Sequence, residues 1–211
     1  MKNIEAIYKL SYGVYVIGTL DGERPTGCIA NSAMQITSSP ATIAVSINKN
    51  NYTNSCIMKS GRFSISVLAE DVYPSVIGTF GFSSGRDKNK FDETGSRELN
   101  GLPIVWQAAA GISLRVINSM DAGTHTVFLG EVTDAELYSA DSTPMTYAYY
   151  HNVIKGKSPK NAPTYREEDS SGKWKCSVCG YVYDGSIPFE ELPESYTCPV
   201  CGQPKSVFKK I

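Results

Sequence analysis

Four cysteines near one end of the chain carry the plainest chemistry in the sequence. Cys176 and Cys179, then Cys198 and Cys201, form two Cys-x-x-Cys pairs, and each runs straight into a glycine, Gly180 or Gly202. Two thiolates one tight turn apart can hold one ion while main-chain N–H groups point at their sulfurs, and the glycine can take a positive φ at no steric cost. Two such turns facing each other make a tetrahedral four-sulfur site, suited to zinc or to a single iron. Spacing by itself leaves that choice open, with a zinc ribbon as the plainer reading. Cys28 and Cys56 stand alone and read as small buried hydrophobes. The chain begins Met1-Lys2-Asn3-Ile4-Glu5, with an acid where a secretion signal wants apolar residues. The six cysteines therefore fit metal ligation better than a disulfide framework.

The elements that hold these residues must come from 211 residues, of which 41% are hydrophobic and 10% aromatic. That is material for a real core and excludes global disorder. Lysine plus arginine total 20 against 21 acids, a formal net charge of −1, which argues against a coat for nucleic acid or anionic membrane. No apolar run approaches the ~18 residues of a membrane-spanning helix, so a cytoplasmic protein is expected. A proline-, serine- and charge-rich stretch at 156–172 separates two parts. The division is residues 1–163, a linker at 164–172, and a small domain at 173–211. The small domain is too short to be stable on apolar burial alone and should need its metal to fold.

The large part reads mainly as β structure. Phe63, Ile65 and Val67 alternate with Ser64 and Ser66; Ile43, Val45 and Ile47 alternate with Ala44 and Ser46. Ile112, Leu114 and Val116 repeat the pattern with Ser113 and Arg115, and Val127, Leu129 and Glu131 continue it. This period of two marks half-buried strands. Helical spacing appears at Ile4, Ile7 and Tyr8, at 53–60 and at 71–80. Many short strands with turn signals suggest a barrel with a few appended helices. No Gly-x-Gly-x-x-Gly follows a strand and no Walker sequence is present, so a Rossmann cofactor domain is not expected.

Context around the cysteines narrows the metal. Gly180-Tyr181-Val182-Tyr183-Asp184-Gly185 follows the first pair; Glu191-Leu192-Pro193-Glu194-Ser195-Tyr196-Thr197 precedes the second; Gln203-Pro204-Lys205-Ser206-Val207-Phe208 follows it. With Trp174 upstream, residues 173–211 resemble rubredoxin. The resemblance implies one iron, held by the four cysteines, that shuttles a single electron. Two departures are visible: the loop between the pairs is shorter than in most rubredoxins, and Tyr196 stands where tryptophan is usual. From Cys176 to Pro204 there are four acids (Asp184, Glu190, Glu191, Glu194) and no lysine or arginine. Such a face would favour a partner with a basic patch, unless it is merely a solvated loop.

Thr26-Gly27-Cys28-Ile29-Ala30-Asn31-Ser32-Ala33-Met34-Gln35, Ser38-Ser39-Pro40 and the strand at 43–47 resemble, in order, the flavin reductase-like split barrel. Asn48-Lys49-Asn50-Asn51-Tyr52-Thr53, the segment Ser60 to Leu68, Asp87-Lys88-Asn89-Lys90-Phe91 and His125 to Val132 extend the likeness over residues 5 to about 165. It implies an FMN site built from Ala30, Asn31, Ser32, Ser46, Asn48, Lys49, Tyr52, Thr53, Lys90 and His125. Thr53 can cap a helix whose free N–H groups and dipole favour the phosphate, with Asn48, Lys49 and Tyr52 on the approach and Lys90 as a second cation. Ala30, Asn31 and Ser32 leave a strand in small and polar steps that let main-chain N–H groups reach the flavin edge. His125 would face flavin and nicotinamide, whereas His151 reads as structural. No side chain is required as a general acid or nucleophile.

The pairing of modules resembles high-molecular-weight rubredoxins. It implies an NAD(P)H-driven oxidoreductase that passes electrons through FMN to its own iron centre, and on to a flavodiiron protein that reduces oxygen or nitric oxide in anaerobes. A homodimer with FMN at the interface is implied too. Two rival expectations remain at this point: a free flavin reductase whose flavin leaves as product, and a non-catalytic flavin-binding barrel carrying a zinc ribbon.

Overall fold

The computed structural model describes residues 4–154, 156 and 173–211. The linker expected at 164–172 and the boundary at 163 lie outside the described residues. β1 (Tyr15–Asp21) and β2 (Arg24–Ala30) form the first hairpin, followed by β3 (Met34–Ser38), β4 (Ala41–Asn48), α1 (Tyr52–Ser60) and β5 (Arg62–Leu68). α2 (Pro74–Phe82), α3 (Lys90–Thr94) and a small hairpin of β6 (Ser96–Leu99) and β7 (Leu102–Val105) lead to two long strands, β8 (Ala108–Ala122) and β9 (His125–Leu137). α4 (Tyr147–Asn152) ends the large part. In the small part, β10 (Trp174–Cys176) and β11 (Phe208–Lys210) pair antiparallel around the cysteine turns.

Seven strands make one antiparallel sheet in the order β2-β1-β5-β8-β9-β4-β3. All four strands read from alternation are present as β5, β4, β8 and β9. One face of the sheet closes on Ile17, Cys28, Val45, Ile47, Ile57, Phe63, Ile65, Leu114 and Phe128. β5 is not half-buried as its pattern suggests, because Ser64 and Ser66 are as buried as their apolar neighbours. The β6–β7 hairpin covers them: Ser64 Oγ donates to the Pro103 carbonyl at 2.5 Å, and Val105 N–H donates to Ser66 Oγ at 3.1 Å. Alternation marked the strand, while the serines marked hydrogen bonding to a second layer rather than solvent.

The helices differ from expectation at their starts. α1 has Asn51 at its N-cap, with no side-chain cap bond, and Thr53 sits inside the first turn, so Thr53 does not cap. It is buried instead, only 2% exposed. α2 begins at Pro74 rather than Asp71, since proline suits a first helical turn and biases the residue before it away from helix. The spacing at 4–8 is realised as a 3₁₀ turn, Ile4–Lys9. α3 and α4 were not read from the sequence; Asn89 and Thr146 cap them through Phe91 N–H and Tyr149 N–H.

A second apolar cluster joins α2 and α4 to the small domain: Val72, Val76, Ile77, Phe80 and Tyr150 share it with Tyr181, Phe189, Val200 and Phe208. Within the small domain Trp174 stacks on Phe189 at 4.7 Å, and Phe189 meets Phe208 at 4.8 Å. Among the described residues no helix is long and apolar enough to cross a membrane.

Candidate functional site

The four cysteines converge. Their sulfurs all lie within 4.8 Å of one another, and the closest pairs are Cys179–Cys198 at 3.5 Å and Cys176–Cys201 at 3.7 Å. A tetrahedral ion with metal–sulfur bonds of about 2.3 Å has sulfur–sulfur edges of about 3.8 Å, so the donor set fits a four-thiolate metal. Each turn is fixed by its glycine: Gly180 (φ 78) donates to the Cys176 carbonyl at 2.9 Å, and Gly202 (φ 70) to the Cys198 carbonyl at 2.8 Å. The turns are thus near copies, as the repeated Cys-x-x-Cys-Gly implies, and all four cysteines are buried. Tyr196, in the place where tryptophan was expected, packs edge-on against Phe189 at 5.8 Å and tilted against Phe208 at 5.8 Å.

The acidic face is less acidic than its sequence suggests. Lys205, one residue beyond the lysine-free stretch, donates to the Leu192 carbonyl at 2.6 Å and pairs with Glu194 at 3.2 Å. Glu190 accepts from Trp174 Nε1 at 3.0 Å and pairs with Lys210 at 3.5 Å.

In the large domain most of the flavin candidates meet where β4, the β8–β9 turn and α1 come together. Asn48 lies opposite His125 in the β4–β9 ladder, and Lys49 N–H donates to the Thr124 carbonyl at 2.9 Å. Lys49 Nζ reaches Asp121 Oδ1 at 2.6 Å, a contact that keeps the Asp121 carboxyl below its ordinary pKa. Burial pushes the His125 imidazole down, toward the neutral form. Ser32 and Ser46 are joined in both directions: Ser32 Oγ donates to the Ser46 carbonyl at 2.9 Å and accepts Ser46 N–H at 3.1 Å. This fixes the segment after Ala30, including Asn31, against β4.

The first turn of α1 is anchored by Tyr52, whose hydroxyl donates to Asp21 Oδ2, with Arg86 over its ring at 4.8 Å. No acid belongs to that turn itself, and the nearby Asp21 carboxylate is hydrogen-bonded by Tyr52 and neutralised in part by Arg24 and Lys59, which leaves the helix start compatible with a phosphate. Lys90 is set apart from this group. It is only 2% exposed, and Nζ donates to the main-chain carbonyls of Gly27 at 2.9 Å and Phe80 at 3.3 Å. Burial lowers its pKa to about 8. It is held inside the fold by those carbonyls rather than standing as a solvated surface cation.

Sequence reasoning missed Asn54, which is buried and donates through Nδ2 to the Ile47 carbonyl at 2.9 Å, tying α1 to β4. It also missed Asp21 and Asp121. The Asp121-Ala122-Gly123 turn just before His125 was the available signal: Asp121 Oδ1 also accepts Gly123 N–H at 2.8 Å, a turn bond that aspartate and glycine favour.

Comparison with known proteins agrees with both parts. The family described as flavin reductase like domain matches residues 7–156, and the rubrerythrin, rubredoxin-like domain matches residues 174–209. A high molecular weight rubredoxin of Moorella thermoacetica is 44% identical, the match covering 98% of this chain and 99% of that one. A ferric-chelate reductase (NAD(P)H) of Archaeoglobus fulgidus is 42% identical over 78% of this chain and 98% of its own. Among solved structures, a flavin reductase in its native state superposes with a TM-score of 0.59 at 30% identity, over 69% of this chain and 93% of that one. The two family matches fall on different parts of the chain, and one relative is similar over nearly the whole length of both. The chain belongs to the flavin reductase-like family, in the high-molecular-weight rubredoxin arrangement with a C-terminal rubredoxin-like iron domain, an oxidoreductase that transfers electrons by way of flavin and rubredoxin.

Proposed function

We infer that the chain takes electrons from NAD(P)H, holds FMN rather than FAD, and delivers single electrons through its four-cysteine iron to an acceptor protein of the flavodiiron type. The observation that carries this reading is the presence, in one chain, of a four-sulfur cluster of the right edge length and a group of polar residues gathered at the start of α1. When bound, a flavin accepts electrons in pairs and releases them singly, which is the conversion needed between a hydride donor and a one-electron iron.

The chain's own residues bind and orient. In this reading Tyr52, Thr53 and Lys49 take the FMN phosphate at the start of α1, and Lys90 adds a positive charge from behind β2. Ala30, Asn31 and Ser32, with Ser46 bracing them, present main-chain groups to the ring edge. Asn48 and His125 flank the nicotinamide approach, and a His125 kept neutral by burial can accept or donate one hydrogen bond without placing a full charge there. The chain works as a homodimer in the cytoplasm. Supporting the dimer, β3 is an edge strand whose five residues are all exposed, with Met34 and Ile36 apolar on it.

An anaerobic visible titration of the purified, fully loaded protein with NADH tests the reading. Bleaching of a flavin band and then of a ferric–thiolate band is expected. A flavin band that bleaches beside an iron band that persists would remove the iron centre from the path. If neither band responds to NADH or NADPH, the donor is not nicotinamide.

A further inference from the structure

α2 contains two glycines one turn apart, Gly78 and Gly81, although glycine is less favourable than alanine within a helix. Each faces something different. A Cβ on Gly78 would lie 2.7 Å from the Cys201 carbonyl oxygen, 2.9 Å from Cys201 Cβ and 3.1 Å from its Cα. Two of these are main-chain atoms and the third is the Cβ rigidly attached to them, all in a metal-binding turn, so none can swing aside. The next glycine of that turn, Gly202, lies with its Cβ direction 3.5 Å from Ser75 N, at the first turn of the same helix. Val72, Val76, Ile77 and Tyr150 bury the surrounding contact together with Cys176, Cys179 and Val200. On the next turn, the Cβ direction of Gly81 meets Ile29 Cγ1 at 3.7 Å. Ile29 directly precedes Ala30, Asn31 and Ser32.

We propose that α2 is a built-in seat for the iron domain, with Gly78 the positioning residue that lets Cys201 rest against the helix, so that the four-cysteine centre is reduced by the flavin held on Ala30–Ser32 of its own chain. The proposal rests on the flavin-to-iron reading and adds the route and the chain: Cys201, Gly78, one turn of α2, Gly81, Ile29, and then the end of β2. With both groups bound, the reduced flavin would supply its two electrons one at a time, each taking the ferric centre to ferrous, the second after the iron has passed the first to its acceptor protein, with the flavin's protons going to solvent. Alanine is favoured over glycine inside a helix, so Gly78→Ala should help α2 locally and harm only the seat.

The test uses full-length, flavin- and iron-loaded protein in wild-type, Gly78→Ala and Gly78→Val forms. Iron content, the ferric–thiolate spectrum and the rate of flavin bleaching by NADH should be unchanged, because no ligand and no flavin-site residue is altered. Amide exchange at 74–82 and 198–202 should speed up. Iron bleaching should slow by on the order of tenfold or more once the seated contact becomes a tethered encounter. Adding free Gly81→Leu protein as a third form checks the flavin side of the route by the same two readouts. Unchanged exchange and unchanged iron bleaching in Gly78→Val would overturn the proposal. Should wild-type flavin fail to reduce iron at all, the broader reading falls, while exchange still reports whether the seat exists. Iron bleaching that rises with protein concentration in the wild type would also defeat the own-chain route.

Discussion

Tyr52 Oη donates a 2.6 Å hydrogen bond to Asp21 Oδ2, joining the first turn of α1 to the last residue of β1. Arg24 reaches the same oxygen at 3.3 Å. The Tyr52 bond first, and Arg24 and Lys59 after it, hold the Asp21 carboxyl below its ordinary range, and the same bond raises the Tyr52 phenol. A carboxylate depressed in the folded state contributes above its unfolded pKa, about 4, and loses that contribution as pH falls through the lower folded value. The stability that this contact gives the start of α1 should therefore hold from neutral pH down to about 4 and weaken below it. Tyr52→Phe should lower FMN affinity several-fold at pH 7, as read by fluorescence titration, and should remove the acid-side decline that depends on this bond.

Asn54 gives a stability prediction. Its buried amide is the partner of the Ile47 carbonyl, and Asn54→Leu leaves that carbonyl unmatched at a cost of about 1–3 kcal/mol. For a chain of this size each kcal/mol shifts the melting temperature by about 2–4 °C. Calorimetry on the flavin-loaded protein should show a drop within those limits, and no drop would mean that α1 is held by its apolar side alone.

Lys90 gives a pH prediction with the same direction of slope, in the alkaline range. Its pKa falls from 10.5 to about 8 on burial, so between those values the unfolded chain binds more protons and stability rises with pH. At about 1.4 kcal/mol per unit the gain is at most about 3 kcal/mol. Denaturant unfolding of flavin-free protein should show this climb, and Lys90→Met should abolish it. If Lys90 faces the FMN phosphate, saturating FMN flattens the climb in the wild type by keeping the ammonium charged; a climb unaffected by FMN would place the phosphate elsewhere.

Removing one ligand separates the two domains. Cys198→Ser leaves three thiolates for one ion, and a domain of residues 173–211 depends on its metal for folding. Iron content should fall to near zero and protease should cut within 173–211, while NADH still bleaches the flavin at the wild-type rate. Loss of flavin bleaching as well would show that the small domain supports the flavin site.

The edge strand tests the assembly. Met34 is 62% exposed and Ile36 is 46% exposed on β3. Ile36→Lys should shift the protein from dimer to monomer in sedimentation at micromolar concentration and weaken FMN retention if the flavin lies at that interface. A wild-type monomer would refute the dimer outright.

The metal centre was legible because every ligand is a cysteine and the spacing repeats, so local turns bring the sulfurs near one another before any tertiary packing is known. The four alternating strands were legible for a similar reason: Phe63, Ile65 and their counterparts encode their own face. What was not legible depends on distant partners. Ser64 reads as the polar side of a half-buried strand until Pro103 is placed over it, and Lys90 reads as a second phosphate cation with nothing in the sequence to say that Gly27 and Phe80 turn their carbonyls to it. Thr53 reads as a cap because threonine often is one, but the helix starts at Tyr52 with Asn51 at its cap and buries Thr53 inside the first turn. The acidic stretch ended one residue short of Lys205, and that single residue alters the surface.

The small domain enters and leaves at one place. β10 and β11 lie side by side with Trp174 opposite Lys210, and Ile211 N–H returns to the Lys173 carbonyl at 2.9 Å. A unit whose two ends meet can be transplanted by a single covalent join, without reopening the host's sheet. Its portability is then limited by whether the recipient offers a helix bare enough to receive the second cysteine turn, so a glycine at the position of Gly78 is what a graft of this domain onto another barrel would have to supply.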